Sequence, residues 1–501
     1  MRRISILLLF FFACFAVAAW SQAQTQTHPR HHQYTLYDLG TFGGPNSTTS
    51  YFGTSLTRQG AIGGAQTNAS DPFSPNCMAD YFLGFGCWVQ HAFQWKHGTL
   101  TDLGSLPGYD GNNSGWAFAI NNNGLIAGIS ENGSIDPATG YPETHAVVWN
   151  QGRLTDLGTF GGTQSSAAAI NDRDQVVGWA TNTVDDPYSS ALVSAGFAGT
   201  WPVTTQMRAF VWKNGVKHDL GTLGGSDALA YAINQLGQIA GQSYTSDTPN
   251  PDTGIPTMDP FLWERGKLID LGTLGGTIGN PVWLNDRGQV TGSSNLAGDQ
   301  LSHGFLWERG VMKDLPPFTG GSFSYALWIN EAGEVVGGAA IAGDEQVHAP
   351  LWRHGKTIDL GTVGQDPCSE AWSVNEDRQI VGVSFTCWDY GTGRAFLWEN
   401  GGPMVDLNAL VENPSDLHLL EGTYITDRGE IVAQGVLPNG EVHTAVLVPH
   451  GHCGEDCEQR IAESMSTPTT PARARSTIPA SRNLTNWLRN RQRPQQILDG
   501  R

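Results

Sequence analysis

Short apolar runs alternate with turns rich in Gly, Asn and Asp along almost the whole chain. The same succession of runs recurs eight times, and the first run of each copy ends in an Asp-Leu pair. These pairs begin at Asp38, Asp102, Asp156, Asp219, Asp270, Asp314, Asp359 and Asp406. Their spacing, from 44 to 64 residues, is typical of repeats in which each copy forms one small sheet that stacks on its neighbours.

Each copy contains four apolar segments, named a to d in chain order. Segment a is the run into Asp-Leu (267–271), and segment b contains small and aromatic residues (325–330). Segment c follows the glycine of a turn and begins with Glu or Gln (334–337), and segment d contains the tryptophan of the repeat (209–212). Asn-x-x-Gly turns such as 234–237 join b to c, and tight glycine turns join d to a. Because such turns join antiparallel neighbours, the sequence predicts the order b-c-d-a, with the small residues of b innermost.

This pattern predicts an all-β fold, a β-propeller of eight four-stranded blades. A parallel β-helix is the alternative, but its coils are shorter and lack paired tight hairpins. The repeats begin with segment a near residues 34–39 and end with segment d near 445–448. Since d and a are neighbours in a blade, we expect the first strand to complete the last blade and leave no free edge.

The connections between segments c and d vary most in length. They are longest in the first four repeats, at about 66–90, 131–144, 180–207 and 242–258. If the strands alternate in direction, these loops all project from one face, opposite the tight turns. Variable loops on a repetitive scaffold commonly bind ligands, so the sequence predicts the functional face there.

The two ends of the chain differ from the repeats. Residues 1–23 have two arginines, an apolar run and a small-x-small site, as expected of a secretory signal peptide. We expect residues 24–33 to be disordered, 34–449 to form the propeller, and 450–501, rich in Arg, Pro, Ser and Thr, to be a disordered tail. Cys14 gives the signal a weak likeness to a lipoprotein cleavage box, so its lipidation stays open. No other stretch is long enough to span a membrane.

Export would place the remaining six cysteines in an oxidising compartment. The simplest pairs are local ones, Cys77 with Cys87, Cys368 with Cys387, and Cys453 with Cys457. A metal site is the alternative, although paired Cys-x-x-Cys spacings do not occur.

The chain is acidic, with a formal net charge of −19. The signal and the tail are both basic, so the body between them is more acidic still. Such a body repels nucleic acid and anionic membrane surfaces and attracts cations or basic partners. We expect a monomer without a nucleic-acid partner.

Three motifs recur together in this chain. They are His-Ala-Phe/Val-x-Trp, as at 91–95 and 145–149, Asp-Leu-Gly-Thr-Leu-Gly-Gly, as at 270–276, and Ile-Asn-x-x-Gly. In this combination the chain resembles the HAF-repeat family of bacterial extracellular proteins over about residues 34–449. The resemblance implies a secreted, periplasmic or cell-surface bacterial protein, but no established activity. Repeats six and eight depart from the pattern at 314–317 and 406–409.

The recurring His, Asp and Trp side chains are best interpreted as structural, because symmetry places them in separate blades. The non-repeated residues of the loops are the better candidates for ligand contact: Trp88, Trp179, Trp201, Asp185, Asp186, Asp247 and Asp252. No catalytic or cofactor motif occurs, so the sequence predicts no cofactor, although oxygen-rich loops of this kind can bind Ca²⁺.

The sequence therefore predicts a secreted, non-enzymatic module that binds an extracellular glycan or protein through the long-loop face. Two alternatives stay open. Paired carboxylates in the same loops could act as a glycosidase or lyase on extracellular polysaccharide, or the protein could be a purely structural component of the cell surface.

Overall fold

The computed structural model describes residues 31–50, 53–108, 112–195, 202–251, 253–399, 401–413, 415–452 and 455–466. The predicted signal peptide, including Cys14, lies outside them. Within these ranges, no helix is long and apolar enough to cross a membrane.

The described chain is almost entirely β-structure. Strands β1 to β10 cover His32–Asp38, Gly43–Thr49, Leu56–Thr57, Gly60–Ser70, Trp88–Lys96, Thr99–Asp102, Gly115–Ile120, Ile126–Ile135, Pro142–Asn150 and Arg153–Asp156. Strands β11 to β22 cover Ser165–Ile170, Val176–Asp185, Thr205–Lys213, Val216–Asp219, Ala228–Ile233, Ile239–Pro249, Pro256–Glu264, Lys267–Asp270, Gly275–Leu284, Val290–Leu296, Ser302–Glu308 and Val311–Leu315. Strands β23 to β34 cover Ser324–Ile329, Val335–Ala340, Val347–His348, Pro350–Arg353, Lys356–Asp359, Cys368–Val374, Ile380–Thr386, Asp389–Trp398, Val405–Asp406, His418–Ile425, Ile431–Val436 and Val442–His452. Helices α1 to α4 cover Met78–Leu83, Ser189–Ala195, Leu407–Leu410 and Glu455–Ser466.

These strands form antiparallel sheets in the predicted order b-c-d-a. We number the sheets by the repeat that supplies strands b, c and d, so that sheet 2 is β7-β8-β9-β10 and sheet 3 is β11-β12-β13-β14. Sheets 4 and 5 are joined by a single parallel bridge between Met258 and Ile278. The b strands of successive sheets contact one another, as β7 contacts β11 and β11 contacts β15, whereas most a strands are largely exposed. Small sheets arranged side by side around their inner strands form a β-propeller.

The first strand completes the sheet of the last repeat. β1 pairs antiparallel with β34, with Leu36 opposite Leu447. A short segment from the a-to-b connection of repeat eight covers the outer edge of β1. There Glu412 N–H donates to the Tyr34 carbonyl (3.0 Å), and the Asn413 side chain exchanges two hydrogen bonds with the Leu36 backbone (2.8 and 3.0 Å). In repeat eight, residues 411–413 therefore form a strap over β1.

The recurring tryptophans pack between sheets, which confirms their structural interpretation. Trp149 of sheet 2 lies in one cluster with Ile62 and Ala92 of sheet 1. Its indole Nε1–H also donates to the Gly104 carbonyl (3.1 Å). Leu447 takes this position in the last repeat and packs against Leu397 of sheet 7.

The asparagine of each b-to-c turn forms a second set of contacts between sheets. In repeats two to seven its Nδ2 donates to the backbone carbonyl of the equivalent residue in the next repeat, at 2.9 to 3.1 Å. The donors are Asn121, Asn171, Asn234, Asn285, Asn330 and Asn375, and the series ends at the carbonyl of Thr426. We call this series the asparagine ladder.

The tail differs from the expected disorder over residues 450–466. β34 continues to His452, and α4 packs against the propeller. Arg460 Nε donates to the Ala409 carbonyl (3.0 Å), and Arg394 donates to the Ser464 carbonyl (3.2 Å). The disorder prediction was wrong for this segment because it averaged the whole tail, whereas residues 455–466 are rich in good helix formers.

Two of the predicted disulfides are confirmed, Cys77 with Cys87 and Cys368 with Cys387. Cys457 is also disulfide-bonded, and its predicted partner Cys453 lies outside the described residues.

Candidate functional site

The recurring histidines and aspartates pair with each other across the d-to-a hairpins. The pairs are His91–Asp102, His145–Asp156, His303–Asp314, His348–Asp359 and His443–Asp38, with distances of 2.7 to 2.9 Å from Nδ1 to the carboxylate. Most of these aspartates also accept a hydrogen bond from the glycine N–H two residues later, as Asp102 does from Gly104 (2.7 Å). Burial acts to raise the pKa of Asp102, but the hydrogen bonds from His91 and Gly104 lower it overall. These side chains hold the hairpins together, as the sequence predicts.

Sheet 4 is the exception among these pairs. Asp259 occupies the histidine position and faces Asp270, and one of its carboxyl oxygens is buried without a hydrogen-bond partner among the described residues. Burial, followed by the charge of Asp270, raises the pKa of Asp259 to about 7. Sheet 3 instead has Arg208, which pairs with Asp219 at 2.9 Å.

The c-to-d hairpins of sheets 1 to 4 are longer than those of the other sheets. Each has a bulge, followed by an extra strand pair: Ser70 with Trp88, Ile135 with Pro142, Asp185 with Thr205, and Pro249 with Pro256. Beyond these pairs lie insertions 1 to 4, residues 71–87, 136–141, 186–204 and 250–255. Since every c-to-d hairpin points the same way, the insertions project from one side of four consecutive sheets. We call this side the extended-hairpin face.

Buried carboxylates fix the first turn of three insertions. Asp71, Asp136 and Asp186 are equivalent, and each accepts a hydrogen bond from the backbone N–H two residues later, at 2.9, 2.9 and 2.6 Å. A backbone hydrogen bond also joins the first and last residues of each insertion, as between Asp186 N–H and the Thr204 carbonyl (2.9 Å). Asp186 is only 8% exposed, so its proposed ligand contact is corrected to a structural role. The equivalence of these three aspartates is not apparent from the sequence, because the insertions differ in length.

The other predicted contact residues differ in their position and exposure. Trp179 lies in strand β12, not in a loop, and is 1% exposed within a core cluster. Its prediction as a ligand contact was wrong because Trp179 lies on the inward side of the strand. Trp88 is half-buried at the start of β5, and Asp185 and Asp247 are exposed at the ends of their c strands. Trp201 and Asp252 lie outside the described residues.

A buried polar network joins sheets 1 and 2 beneath insertion 1. Ser114 Oγ accepts from the Gln90 N–H (3.1 Å) and donates to Asp71 Oδ2 (2.9 Å). The Ser114 N–H donates to Glu131 Oε2 (2.8 Å). Gln90, Ser114 and Glu131 are fully buried, and Asp71 is 3% exposed. We call these four residues the Ser114 network.

The two carboxyl groups of this network are strongly perturbed. Burial, followed by the charge of Asp71, raises the pKa of Glu131 to about 8. Burial also raises the pKa of Asp71, although hydrogen bonds from Phe73 and Ser114 act to lower it. No described Lys, Arg or His forms an ion pair with either carboxyl group.

Asp227 forms a comparable site between sheets 3 and 4. It is fully buried and accepts hydrogen bonds from the Met207 N–H and from Ser189 Oγ. Burial is the largest contribution that raises the pKa of Asp227 to about 7, and the charge of Asp186 adds to it. Neither Glu131 nor Asp227 is predicted as a buried group from the sequence. Aligning the repeats residue by residue around the Asn-x-x-Gly turn would have revealed them as acids at positions that are uncharged in other repeats.

The carboxyl groups of the Ser114 network and of Asp227 thus lie inside the protein, whereas Asp259 is half-buried beside the exposed Asp270. Among the described residues, no group of three or more His, Cys, Asp or Glu side chains is arranged to hold a metal ion. The groups that a ligand can reach on the extended-hairpin face include Trp88, Asp185 and Asp247, together with Ile135 (48% exposed) and Val184 (50% exposed).

No protein-family model matches the chain, and the search of curated proteins returned no match. Among solved structures, the chain is similar to the β-propeller domain of the Trilobed protease from Pyrococcus furiosus, with a TM-score of 0.40, 9% identity and coverage of 67% of this chain and 97% of that chain. It is similar to TolB from Acinetobacter baumannii, with a TM-score of 0.29, 10% identity and coverage of 84% and 97%. For Trypanosoma rangeli sialidase the TM-score is 0.30, the identity 10% and the coverage 74% and 58%, less than two thirds of that chain. These similarities concern the general architecture alone.

Proposed function

We propose that this protein is an exported, non-enzymatic β-propeller that binds an extracellular glycan or protein through the extended-hairpin face. The propeller has eight blades in this proposal, and the pairing of β1 with β34 closes the ring. Its HAF-type repeats form the scaffold, and the insertions supply the specificity.

One observation carries the proposal: the described parts of the non-repeating segments lie on one side of four consecutive sheets, and insertions 1 and 3 are anchored there. Insertion 1 contains the Cys77–Cys87 disulfide, and residues of α1 pack on Trp116 and Ile129 of sheet 2. Insertion 3 packs through Leu192 on the cluster around Trp179. A surface held in one conformation loses little entropy on binding, which favours affinity.

The burial of the carboxyl pairs favours binding over hydrolysis. A general acid or base must lie within hydrogen-bonding reach of the group whose proton it transfers. Asp71 and Glu131 face each other through Ser114 inside the protein, and Asp186 lies beside the buried Asp227. The insertions that cover these groups also anchor on them, which gives the carboxyls a structural role.

Binding and hydrolysis can be separated with the full chain. The protein is applied to an array of bacterial and plant polysaccharides, and the same polysaccharides are assayed for release of reducing ends. We expect binding to a restricted set of glycans without release. A protein ligand would show instead as a partner retained on the immobilised chain and absent from the array. Release of reducing ends above the level of a buffer control would contradict the proposal.

A further inference from the structure

We propose that the boundary between sheets 1 and 2 holds one Ca²⁺ ion, bound by carboxyl oxygens of Asp71 and Glu131 and amide oxygens of Gln90 and Asn113. This site lies beneath insertion 1 and goes beyond the ligand-binding function, which does not depend on it. The ion would join the base of insertion 1 to the inner strand of sheet 2.

Two carboxyl groups are buried at this boundary without a cationic partner among the described residues. Buried charges in proteins are normally paired or bound to metal ions, because an isolated buried charge is costly. Among the other buried acids, Asp366 has such a partner, since Arg394 pairs with it at 2.7 Å, whereas Asp227 accepts hydrogen bonds from the Met207 N–H and from Ser189 Oγ.

Three buried oxygen atoms at this boundary lack hydrogen bonds in the described part of the chain. Glu131 Oε1, Gln90 Oε1 and Asn113 Oδ1 have no hydrogen-bond partner among the described residues, and all three residues are fully buried. The three residues are neighbours, since the backbone N–H of Gln90 donates to Ser114 Oγ, the Ser114 N–H donates to Glu131 Oε2, and Asn113 precedes Ser114 in the chain. Buried polar atoms are rarely left unsatisfied, so three such oxygens at one boundary indicate a ligand that accepts their lone pairs.

The equivalent boundary between sheets 3 and 4 has a different lining. There the positions of Gln90 and Glu131 are taken by Met207 and Tyr244, which pack in one cluster with Trp179. Gly64 takes the position of Trp179 in sheet 1, and a Cβ built at Gly64 would lie 2.5 Å from Gln90 Nε2. Larger side chains, those of Met207 and Tyr244, thus occupy this space beside Asp227 in sheets 3 and 4, whereas Gln90 and Glu131 give it a polar lining in sheets 1 and 2.

Calcium is the ion that fits this set of donors. It takes six to eight oxygen ligands from carboxylates, amides and backbone, in flexible geometry, whereas Mg²⁺ demands a near-ideal octahedron. Two carboxylates balance its charge. Half of the proposed side-chain ligands are amides, which distinguishes this site from clusters built of acidic, histidine and cysteine ligands alone.

The test uses the full chain after exhaustive treatment with EDTA. Ca²⁺ is titrated by calorimetry, and Tb³⁺ is titrated while its emission is excited through tryptophan, since Trp116 lies two residues beyond Ser114 and is 8% exposed. We expect one strong site per chain and a rise in the unfolding temperature on addition of Ca²⁺. Glu131→Gln should weaken Ca²⁺ binding at least tenfold and remove most of that rise.

Two further variants keep the test decisive if Glu131→Gln folds poorly. Gln90→Met introduces the residue found at the equivalent place in sheet 3, and it should also weaken Ca²⁺ binding. Asp136→Asn changes the carboxyl equivalent to Asp71 at the next boundary, where Thr163 is its partner (2.9 Å), and should leave Ca²⁺ binding as in the parent chain. Absence of Ca²⁺ binding by the parent chain, or equal binding by the Glu131 and Gln90 variants, would overturn the proposal.

Discussion

At the scale of single residues, one position of the repeat accepts the same kind of hydrogen bond through different side chains. Asn46, Ser114, Gln164 and Asp227 are equivalent, and each accepts a hydrogen bond from a backbone N–H of the preceding sheet. The amide, the hydroxyl and the carboxylate all serve as acceptors. Only the carboxylate carries a charge that is costly to bury, and this cost explains why the pKa of Asp227 rises to about 7.

Asp227→Asn should therefore stabilise the protein at high pH. The folded-state pKa of Asp227 lies above its ordinary value of 3.8, so its ionisation destabilises the fold progressively as the pH rises from about 4 to about 7. Since one pKa unit corresponds to about 1.4 kcal/mol, the rise from 3.8 to about 7 corresponds to about 4 kcal/mol. We therefore expect the free energy of unfolding to increase by up to about 4 kcal/mol at pH 8 and hardly at all at pH 4. Urea denaturation at both pH values measures this difference.

Asp185→Asn is the matched control, because Asp185 is exposed and should give the same small effect at both pH values. A loss of stability in Asp227→Asn at pH 8 would show that the charge of Asp227 contributes favourably.

At the scale of elements, the asparagine ladder links the turns of neighbouring sheets. Asn285 accepts hydrogen bonds from the N–H groups of Arg287 and Gln289, both at 3.1 Å, which close its own turn. It also donates to the Asn330 carbonyl of the next repeat at 3.0 Å. Thr426, at the end of the ladder, keeps the turn bonds through its hydroxyl group, from Arg428 and Glu430. The two roles of the asparagine can therefore be separated.

Asn285→Ala and Asn285→Thr should destabilise the protein to different extents. Alanine removes both the turn acceptor and the ladder donor, and a buried polar group left unsatisfied costs about 1–3 kcal/mol. Threonine keeps the turn acceptor, so we expect roughly half of the alanine effect. Thermal unfolding of the two variants gives the comparison. Equal unfolding temperatures for both variants would mean that the turn acceptor contributes nothing, and a threonine variant as stable as the parent chain would mean that the ladder donor contributes nothing.

Much of the element scale could be predicted from the sequence. The strands, the order b-c-d-a, the local disulfides and the tryptophans between sheets all follow from patterns within one repeat or between identical positions. The ladder, the Ser114 network and the strap over β1 could not be predicted. Their partners lie about one repeat or more apart, and no local periodicity shows which side chain meets which backbone group across a boundary. Trp179 failed for a related reason, since its strand extends into a region that the sequence suggests is a loop.

At the scale of the whole molecule, the first and last repeats meet at β1, and we call this junction the seam. β34 pairs with one edge of β1, and the 411–413 strap covers the other edge. Leu36 is 5% exposed and packs with Leu407, Leu410 and Leu447. The seam thus combines a backbone ladder with an apolar core. Among the described residues, both edges of β34 are paired, with β1 and with β33, which protects them from pairing with another chain.

Leu36→Asp should open this seam. Burying a carboxylate in the apolar cluster should lower the free energy of unfolding by about 3–5 kcal/mol and expose the edge of β34, so we also expect self-association. Thr35→Asp, on the more exposed side of the same strand, is the control and should change little. Thermal unfolding and light scattering measure both effects, and an unchanged, monomeric Leu36→Asp protein would show that the seam does not depend on β1.

The central claim is that the non-repeating extended-hairpin face carries the function, and affinity for the bound glycan or protein tests it most directly. Two variants replace residues 71–87 and 186–204 with short turns, one variant combines both changes, and Leu236→Ser alters a 58% exposed side chain on the opposite face. We predict that the combined variant loses at least tenfold in affinity while Leu236→Ser binds as the parent chain does. Full affinity in the combined variant, with its fold intact by circular dichroism, would place the function elsewhere on the propeller.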